Sequence, residues 1–223
     1  MAYSDLSSIQ NLLTLLSKGA VVSLEIFFLT LICSVPLGLV LALGRMSRSK
    51  WLSWVIRQYI LFMRGTPLIL QIMIVYFVPP SILPEGLQIN LDRFVAAVVA
   101  FSLNYAAYFA EIFRGGFLSI PQGQYEAAQV LGFSRSQTFF RIILPQVTKR
   151  ILPPTSNEVI TLVKDTALAT VLGISELFRA AKDESSRAFS ATPLFVAGLF
   201  YLVMNFVVER MFYALEKRLS YYE

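Results

Sequence analysis

Polar and charged side chains recur at helical spacing inside two stretches of the sequence that are otherwise apolar. Positions three, four and seven apart share one face of a helix. The first stripe comprises Asn104, Tyr108 and Glu111, and the second comprises Asn157, Thr161 and Lys164, with Glu158 and Asp165 beside it. Amide, hydroxyl and carboxylate groups so arranged could line a cavity for a polar solute. The alternative is that they bond one another across a helix bundle, since Asn and Thr often link membrane helices.

The residue inventory argues against a catalytic or metal centre. The chain has no histidine and one cysteine, Cys33, which lies in an apolar block and is expected to be buried by packing. A lone thiol without histidine supplies neither a Cys/His metal set nor the usual nucleophile–base pair. Serines and lysines are present, but no spacing places them as a pair. We therefore expect no catalytic residue and no metal site.

Composition places the chain in a membrane. Hydrophobic residues make up 56% of the 223 residues, charged residues make up 15%, and the mean hydropathy is +0.64. The apolar residues come in blocks, and the length suits about five membrane helices with short connections. The net charge of +5 is accounted for by lysines and arginines beside membrane spans, so nucleic acid is not an expected partner.

The whole chain, residues 1–223, is predicted to form one membrane domain. Its five apolar spans cover residues 21–43, 51–78, 94–113, 149–174 and 193–212. Residues 1–18 are mixed in polarity and could form a short amphipathic helix at the membrane interface. The pairs Gly115-Gly116 and Pro153-Pro154 are interpreted as helix ends.

Two of the spans are unusual. Arg64-Gly65-Thr66-Pro67 interrupts the second, either as a helix restart with Thr66 as N-cap and Pro67 in the first turn or as a simple kink. The fourth contains Glu158. A carboxylate at mid-bilayer costs about 3 kcal/mol, whereas each Leu or Ile returns about 0.5 kcal/mol. This helix must therefore be surrounded by protein or line a water-filled cavity.

Basic residues set the orientation. They concentrate in the connections 45–64 and 114–150 and in the C-terminal tail, whereas residues 79–92 contain none. The positive-inside rule then places the N-terminus outside and the C-terminus in the cytoplasm. The connection 164–192 fits less well, because it should be external and yet carries basic residues beside an equal number of acids. Glu111 and Arg114 are expected to form an ion pair near the inner surface.

The cytoplasmic connection 120–145 contains a short polar helix. Residues 124–131 are predicted to be helical, and Gly132 ends the helix before Phe133. Tyr125, Ala128, Gln129 and Gly132 lie along one side. The helix lacks the strong apolar face that binding to lipid headgroups would require. We predict that it docks a partner protein.

These motifs together resemble the permease subunits of bacterial ABC importers, in the polar amino-acid uptake branch. Glu126-Ala127-Ala128, Gly132 and Leu144-Pro145 have the spacing of the cytoplasmic EAA loop of that family. Further matching stretches are RGTPLILQ (64–71), FSLNYAAYFAEIFRGG (101–116), IPQGQYEAAQVLG (120–132), PPTSNEVITLVKDTAL (153–168) and GISEL (173–177). Ala167 departs from the serine usual in this branch.

The resemblance implies an all-α fold of the MetI-like, type I importer class, with five transmembrane helices and a cytoplasmic coupling helix, in the bacterial cytoplasmic membrane. Such a subunit pairs with an identical or homologous permease and docks two ATPase subunits, which bind ATP and Mg. An extracytoplasmic binding protein delivers the amino acid. The implied ATPase-coupling residues are Gly123, Gln124, Tyr125, Glu126, Ala127, Ala128, Gly132, Arg135 and Arg141.

Two independent features bear on function. The chain has no GxxxxGK[ST] phosphate loop, so ATP has to be used by another chain and this chain needs no cofactor of its own. Glu158 beside Asn157 favours a basic amino acid, although recognition of the α-amino group alone would admit glutamine as well. An ATP-independent channel or secondary carrier is the alternative, and it would need no docking helix.

Overall fold

The computed structural model describes residues 6–82 and 90–219, and all regular structure in these residues is helical. In chain order the elements are α1 (Leu6–Arg45), α2 (Lys50–Gly65), α3 (Leu68–Ile82), α4 (Arg93–Leu118), α5 (Gln122–Val130), α6 (Arg135–Gln137), a π-helix (Thr138–Ile143), α7 (Leu144–Asp165), a 3₁₀-helix (Thr166–Leu172), α8 (Leu177–Ala188) and α9 (Thr192–Leu219). Among the described residues α1, α4 and α9 are long and apolar enough to cross a membrane, and the bent pair α2–α3 counts as a fourth candidate.

Helix α1 runs without a break for 40 residues, about 60 Å at 1.5 Å per residue. The sequence predicted a separate interfacial helix over residues 1–18. In the structure residues 6–18 are instead the first turns of α1. Residues 1–5 lie outside the described residues. Leu12 and Leu16 pack against Leu177 and Ala181 of α8. Cys33 is exposed on α1, contrary to the expectation of a buried thiol.

The second apolar region is a true break and not a kink, because α2 and α3 meet at a bend of 109°. The predicted N-cap role of Thr66 is wrong. Its backbone N–H and its hydroxyl both donate to Phe62 O at the end of α2, and its hydroxyl accepts from the side chain of Gln71. Pro67 precedes the first residue of α3, where its missing N–H costs nothing.

Helix α4 is the centre of the bundle and packs on α1, α2, α3 and α7. Close approach of α1 depends on Gly38, because a Cβ at this position would lie 2.7 Å from the Cβ of Phe109. The prediction that Gly115-Gly116 ends a helix is wrong: α4 continues to Leu118 and is capped at Ser119. Gly116 instead leaves room for Ile151 of α7, so its role is helix packing.

Residues 135–165 form one continuous helical rod made of α6, the π-helix and α7. Pro145 lacks the N–H that the carbonyl of Arg141 would use in an α-helix. The wider turns before it accommodate this loss, and the N–H of Leu144 bonds to Phe139 O, five residues back. Pro153 and Pro154 also lie inside α7 and end no helix, contrary to prediction. Neighbouring helices can supply partners for backbone groups that proline leaves free.

The connection after α7 is an ordered cap on the bundle. It contains the 3₁₀-helix and α8, and the buried carboxylate of Glu176 accepts bonds from the N–H groups of Phe178 (2.6 Å) and Arg179 (2.7 Å). The Tyr201 hydroxyl of α9 donates to the same carboxylate at 3.3 Å. Glu176 therefore starts α8 and ties it to α9.

Candidate functional site

The polar stripes of α4 and α7 meet at a cavity of about 220 Å³, which we call the acidic cavity. It is lined by Thr66, Leu68, Asn104, Tyr105, Tyr108, Glu158, Thr161 and Asp165. Five of the seven predicted pathway residues are brought together here. The break between α2 and α3 supplies the opposite wall through Thr66 and Leu68.

The two carboxylates of the acidic cavity differ in their partners. Asp165 accepts a hydrogen bond of 2.8 Å from the hydroxyl of Tyr105, a buried residue of α4. Glu158 is half-buried and makes no hydrogen bond or salt bridge with any residue that the structure describes. Sequence reasoning missed Tyr105, because it lies one position off the stripe that contains Asn104. Asp165 is thus held by the protein, while the carboxylate of Glu158 is left without a hydrogen bond from the described residues.

Asn104 is held by the break between α2 and α3. Its Nδ2 donates to Met63 O and to Gln71 Oε1, both at 2.9 Å. The Nε2 of Gln71 lies within hydrogen-bond distance of Met63 O (2.9 Å), Thr66 Oγ1 (2.8 Å) and Thr66 O (3.2 Å). Gln71, buried and absent from the predicted site, therefore satisfies the carbonyl groups freed where α2 ends. Its place in the RGTPLILQ motif was the available signal.

Two predicted pathway residues do not line the acidic cavity. Asn157 and Lys164 are exposed on α7, and the side chain of Thr161 lines the cavity while its hydroxyl donates to Asn157 O at 2.9 Å. The stripe that faces the cavity is Glu158, Thr161 and Asp165, so it shares Thr161 with the predicted stripe and has the two neighbouring carboxylates in place of Asn157 and Lys164. Lys164 is thereby kept out of the lining.

Glu111 belongs to a different cavity. The ion pair predicted for it is confirmed, since Arg114 Nη2 lies 2.6 Å from Glu111 Oε2 and Arg114 Nε lies 3.2 Å from both carboxylate oxygens. Tyr108 lines this second cavity as well as the acidic cavity. Its ring lies 5.2 Å from the guanidinium carbon of Arg64, a cation–π distance.

The short helix predicted for residues 124–131 is confirmed as α5 (Gln122–Val130), with its end at Gly132. The N–H of Phe133 bonds to Ala128 O at 3.0 Å and the N–H of Gly132 to Gln129 O at 3.1 Å, the two bonds of a Schellman motif. Gly132 has φ 76°, a left-handed conformation that glycine adopts without steric cost. The next helix, α6, starts with a capping box between Ser134 and Gln137.

Most of the predicted coupling residues lie on an open surface of the subunit. The exposed ones are Gly123, Gln124, Tyr125, Glu126, Ala127, Gly132, Arg135 and Arg141. Ala128 is the exception, because its side chain is 1% exposed and faces its own subunit. Sequence reasoning missed Val130 and Leu131, which are 87% and 72% exposed at the end of α5. Their apolar character in a polar loop was the signal that could have found them.

A small apolar cluster supports residues 120–145, which we call the docking loop after their predicted role. Ile120, Ile143 and Val147 are buried together beneath it, and the rings of Phe117 and Phe139 stack with centroids 6.1 Å apart. Gln146 of α7 donates to Gln124 of α5 at 3.2 Å. The loop is thus attached directly to the first turns of α7, the helix that carries Glu158 and Asp165.

Comparison with known proteins assigns the family. Residues 34–221 match the family described as binding-protein-dependent transport system inner membrane component. The chain is 37% identical to the L-cystine transport system permease protein TcyB of Bacillus subtilis, over 96% of this chain and 90% of the relative. It is 39% identical to the arginine transport system permease protein ArtQ of Bacillus subtilis, over 91% of each chain.

A solved structure supports the same assignment. A chain from a crystal structure of an amino acid ABC transporter with histidines aligns with a TM-score of 0.85 and 32% identity, covering 96% of this chain and 98% of that one. The comparisons give no support to an ATP-independent channel or carrier. ABC permeases of this family are membrane subunits without ATPase activity, and they work with a separate ATPase and a substrate-binding protein. The chain therefore belongs to the binding-protein-dependent inner membrane components, with the MetI-like type I importer fold, and is the permease component of an amino-acid ABC importer.

Proposed function

We propose that the acidic cavity is the solute pathway of this permease and that it accepts an amino acid with a cationic side chain. The observation that carries the proposal is the lining itself: two carboxylates and no basic residue among the described groups. A guanidinium or ammonium group bonded to a carboxylate makes a charge-assisted hydrogen bond, about twice as strong as a neutral one. The similarity to the arginine permease protein ArtQ is consistent with this substrate class, whereas the similarity to the L-cystine permease protein TcyB does not favour a cationic side chain.

Glu158 would receive the cationic group and Asp165 would shape the cavity. The Tyr105 hydroxyl already occupies one oxygen of Asp165, whereas Glu158 makes no hydrogen bond or salt bridge within the described residues and feels only the charge of Arg64 at longer range. A half-buried carboxylate that accepts no hydrogen bond is stabilised when a cation binds directly to it. Asn104 contributes less to recognition, because both hydrogens of its Nδ2 are used by Met63 and Gln71.

In the proposed topology five spans cross the membrane, with the N-terminus outside and the C-terminus in the cytoplasm. The spans are α1, the bent α2–α3 pair, α4, α7 and α9. Helix α7 is too polar to face lipid alone, and its packing supports its inclusion. Val159, Leu162 and Val163 are buried against the rest of the bundle, and the other face of α7 carries the acidic cavity. The protein, and not lipid, then surrounds Glu158.

The proposed assembly follows the same family. Two permeases, identical or homologous, would pair in the bacterial cytoplasmic membrane, and two ATPase subunits would bind ATP and Mg beneath them. Helix α5 and residues 130–131 would enter a groove on each ATPase, with Arg135 and Arg141 at its rim. Because the docking loop is attached to α7 by Gln124–Gln146 and the apolar cluster, ATPase closure would move α7 and with it Glu158.

The test is ATP-driven uptake by the complete transporter in liposomes, comparing arginine, glutamine and cystine. Glu158→Gln should reduce arginine uptake by about 10- to 100-fold, the equivalent of one lost charge-assisted bond, and should affect glutamine less. Asn157→Ala is the matched control, because Asn157 adjoins Glu158 and does not line the cavity. Equal uptake of all three solutes by Glu158→Gln, or an equal loss in Asn157→Ala, would exclude the proposal.

A further inference from the structure

A second cavity, of about 430 Å³, lies between the end of α1, helix α2 and the second half of α4. We call it the arginine cavity. Its lining comprises Arg45, Arg57, Ile60, Leu61, Arg64, Gly65, Tyr108, Glu111 and Arg114. Four guanidinium groups from three helices thus face one space, with a single carboxylate among them.

The carboxylate of Glu111 does not neutralise the four arginines of the lining. Glu111 is engaged with Arg114 through three bonds, as described above. No salt bridge joins Arg45, Arg57 or Arg64 to any carboxylate of the described residues. The lining holds four arginines and one glutamate, so positive charge is in excess even though Arg45 and Arg64 also feel the charge of Glu111. Like charges close together repel one another.

Two of the arginine side chains keep donors that the described residues do not engage. Arg45 donates to Ser53 Oγ at 2.7 Å, while its buried Nε has no partner in the protein. A buried donor without an acceptor is costly in a folded protein. Arg57 is exposed and makes no hydrogen bond or ion pair within the described chain. Guanidinium groups bind phosphate through two parallel N–H donors, so this lining suits a phosphate ester.

The surface beside the cavity indicates where the phosphate comes from. Helix α2 packs by Ile56 and Ile60 and leaves a broad apolar face uncovered by the subunit. That face consists of Trp51, Trp54, Val55, Leu61 and Phe62. Leu61 belongs both to this face and to the cavity lining. Tryptophan is enriched where a membrane meets water, so the cavity opens beside a surface suited to acyl chains.

We propose that the arginine cavity binds the phosphate headgroup of an anionic lipid of the inner leaflet, with the acyl chains along the exposed face of α2. Basic pockets between helices on the cytoplasmic side are sites for such headgroups. The inference rests on the orientation given under Proposed function, but it requires neither the acidic cavity nor the docking loop. Bound lipid would neutralise Arg45 and Arg57 and fix α2 beneath the break at Thr66.

The experiment measures the lipid retained by the purified complex of permease and ATPase. The complex is taken from membranes of phosphatidylethanolamine with phosphatidylglycerol, washed in detergent, and titrated with phosphatidylglycerol while bound lipid is counted by native mass spectrometry. The double variant Arg45→Gln/Arg57→Gln should weaken retention about 30-fold. Arg45→Lys/Arg57→Lys keeps the charge and should lose less. Arg48→Gln is the matched control, because Arg48 lies in the same basic connection outside the cavity lining.

Competition separates the possible sources of the anion. Phosphatidylethanolamine should not replace phosphatidylglycerol, and inorganic phosphate at the same concentration should not displace it. Displacement by inorganic phosphate would overturn the assignment to lipid, and displacement by arginine or glutamine would make the cavity part of the solute pathway instead. Unchanged retention in the double variant, or an equal loss in Arg48→Gln, would overturn the site itself.

Folding and transport are controlled independently. Arg57→Gln alone removes an exposed side chain that makes no hydrogen bond or ion pair within the described residues, so it provides the same test if the double variant does not assemble. Glu158→Gln should change lipid retention far less than the double variant, because Glu158 lines only the acidic cavity and reaches the arginine cavity only through the charge of Arg64. If the uptake test fails while lipid binding behaves as expected, only the proposed solute pathway is excluded. If lipid binding fails while uptake behaves as expected, only the lipid site is excluded.

Discussion

The acidic cavity and the docking loop are positioned by different kinds of contact. In the cavity, side chains from α4 bond to groups far away in the sequence: Asn104 to Met63 and Gln71, and Tyr105 to Asp165. In the docking loop, the bonds that define α5 and its end are between near neighbours, as in the Schellman motif at Gly132 and the capping box at Ser134. The proposed solute site is thus built by tertiary structure, whereas the proposed docking surface is built by local sequence.

This difference predicts different responses to mutation. Changes in the cavity network should alter the stability of the whole subunit together with transport. Changes on the docking loop should leave the subunit folded and alter only its association with the ATPase. The following predictions run from the largest expected effect to the smallest.

Gln71→Leu should have the largest effect on stability. It removes the acceptor for Asn104 and the donor to Met63 and Thr66, and leaves buried polar groups unpaired at the end of α2. We expect a loss of about 3 kcal/mol in the free energy of unfolding, together with reduced uptake. Thermal unfolding of the complex measures the loss of stability. Gln58→Leu, on the exposed side of α2, should change stability by less than about 0.5 kcal/mol, and similar losses in both variants would contradict the role of Gln71.

Gly132→Val should disrupt the docking loop without disrupting the bundle. A β-branched residue at φ 76° costs about 1–2 kcal/mol, although no atom of the subunit lies within 4 Å of the position a Cβ would take. Co-purification with the ATPase and ATP-driven uptake should both fall, while Gly132→Asn should fall less, since asparagine tolerates this conformation. Gly115→Ala, in open space on α4, is the control. If docking and uptake both survive Gly132→Val, the docking loop is wrongly assigned.

Replacing Val130 and Leu131 by serine should weaken ATPase binding about tenfold, because it removes exposed apolar area at the end of α5. The unfolding temperature of the permease should not change. Phe140→Ser provides a comparison, since Phe140 is exposed on the neighbouring π-helix and outside the proposed groove contact. An equal effect from Phe140→Ser would mean that α5 is not the specific contact. Binding can be measured by titrating detergent-solubilised permease with purified ATPase.

Phe189→Gly should produce the smallest effect, and it is a gain. Helix α8 ends like α5 with a left-handed residue, but here the residue is Phe189, with φ 50° and a side chain that is 99% exposed. Glycine would relieve the backbone strain, and the greater freedom of the unfolded chain would offset part of that gain. A rise of about 0.5 kcal/mol in unfolding free energy is expected from thermal denaturation. A fall would show that the Phe189 ring makes stabilising contacts.

Local patterns in the sequence predicted the features that local bonds define. The helix end at Gly132, the Glu111–Arg114 pair and the helical nature of the five apolar regions all follow from residues within a few positions of one another. The errors occurred where a partner helix decides. Gly115-Gly116 and Pro153-Pro154 break isolated helices, but in a bundle they allow close packing or find other bonding partners. Ala128 is buried although it lies on a largely exposed helix, and α5 packs against the π-helix that follows it.

The choice of stripe on α7 shows the same limit. Asn157 and Glu158 are adjacent, so they differ by about 100° around the helix. Both positions are polar, and only the packing of Val159, Leu162 and Val163 into the bundle determines which one faces α4. Gln71 and Tyr105 were missed because their importance comes from partners at separations of 33 and 60 residues. Contacts between residues so far apart in the sequence cannot be predicted from composition or from local spacing.

The π-helix at Thr138–Ile143 changes the direction in which the side chains of α7 point. Its wider turns rotate every later residue relative to an uninterrupted α-helix, so the direction in which Glu158, Thr161 and Asp165 point is already set some fifteen residues earlier. Deleting a single residue here would turn the three side chains by about 100° and remove them from the cavity without altering any of them. The π-helix within the docking loop therefore determines which face of α7 is turned toward the acidic cavity.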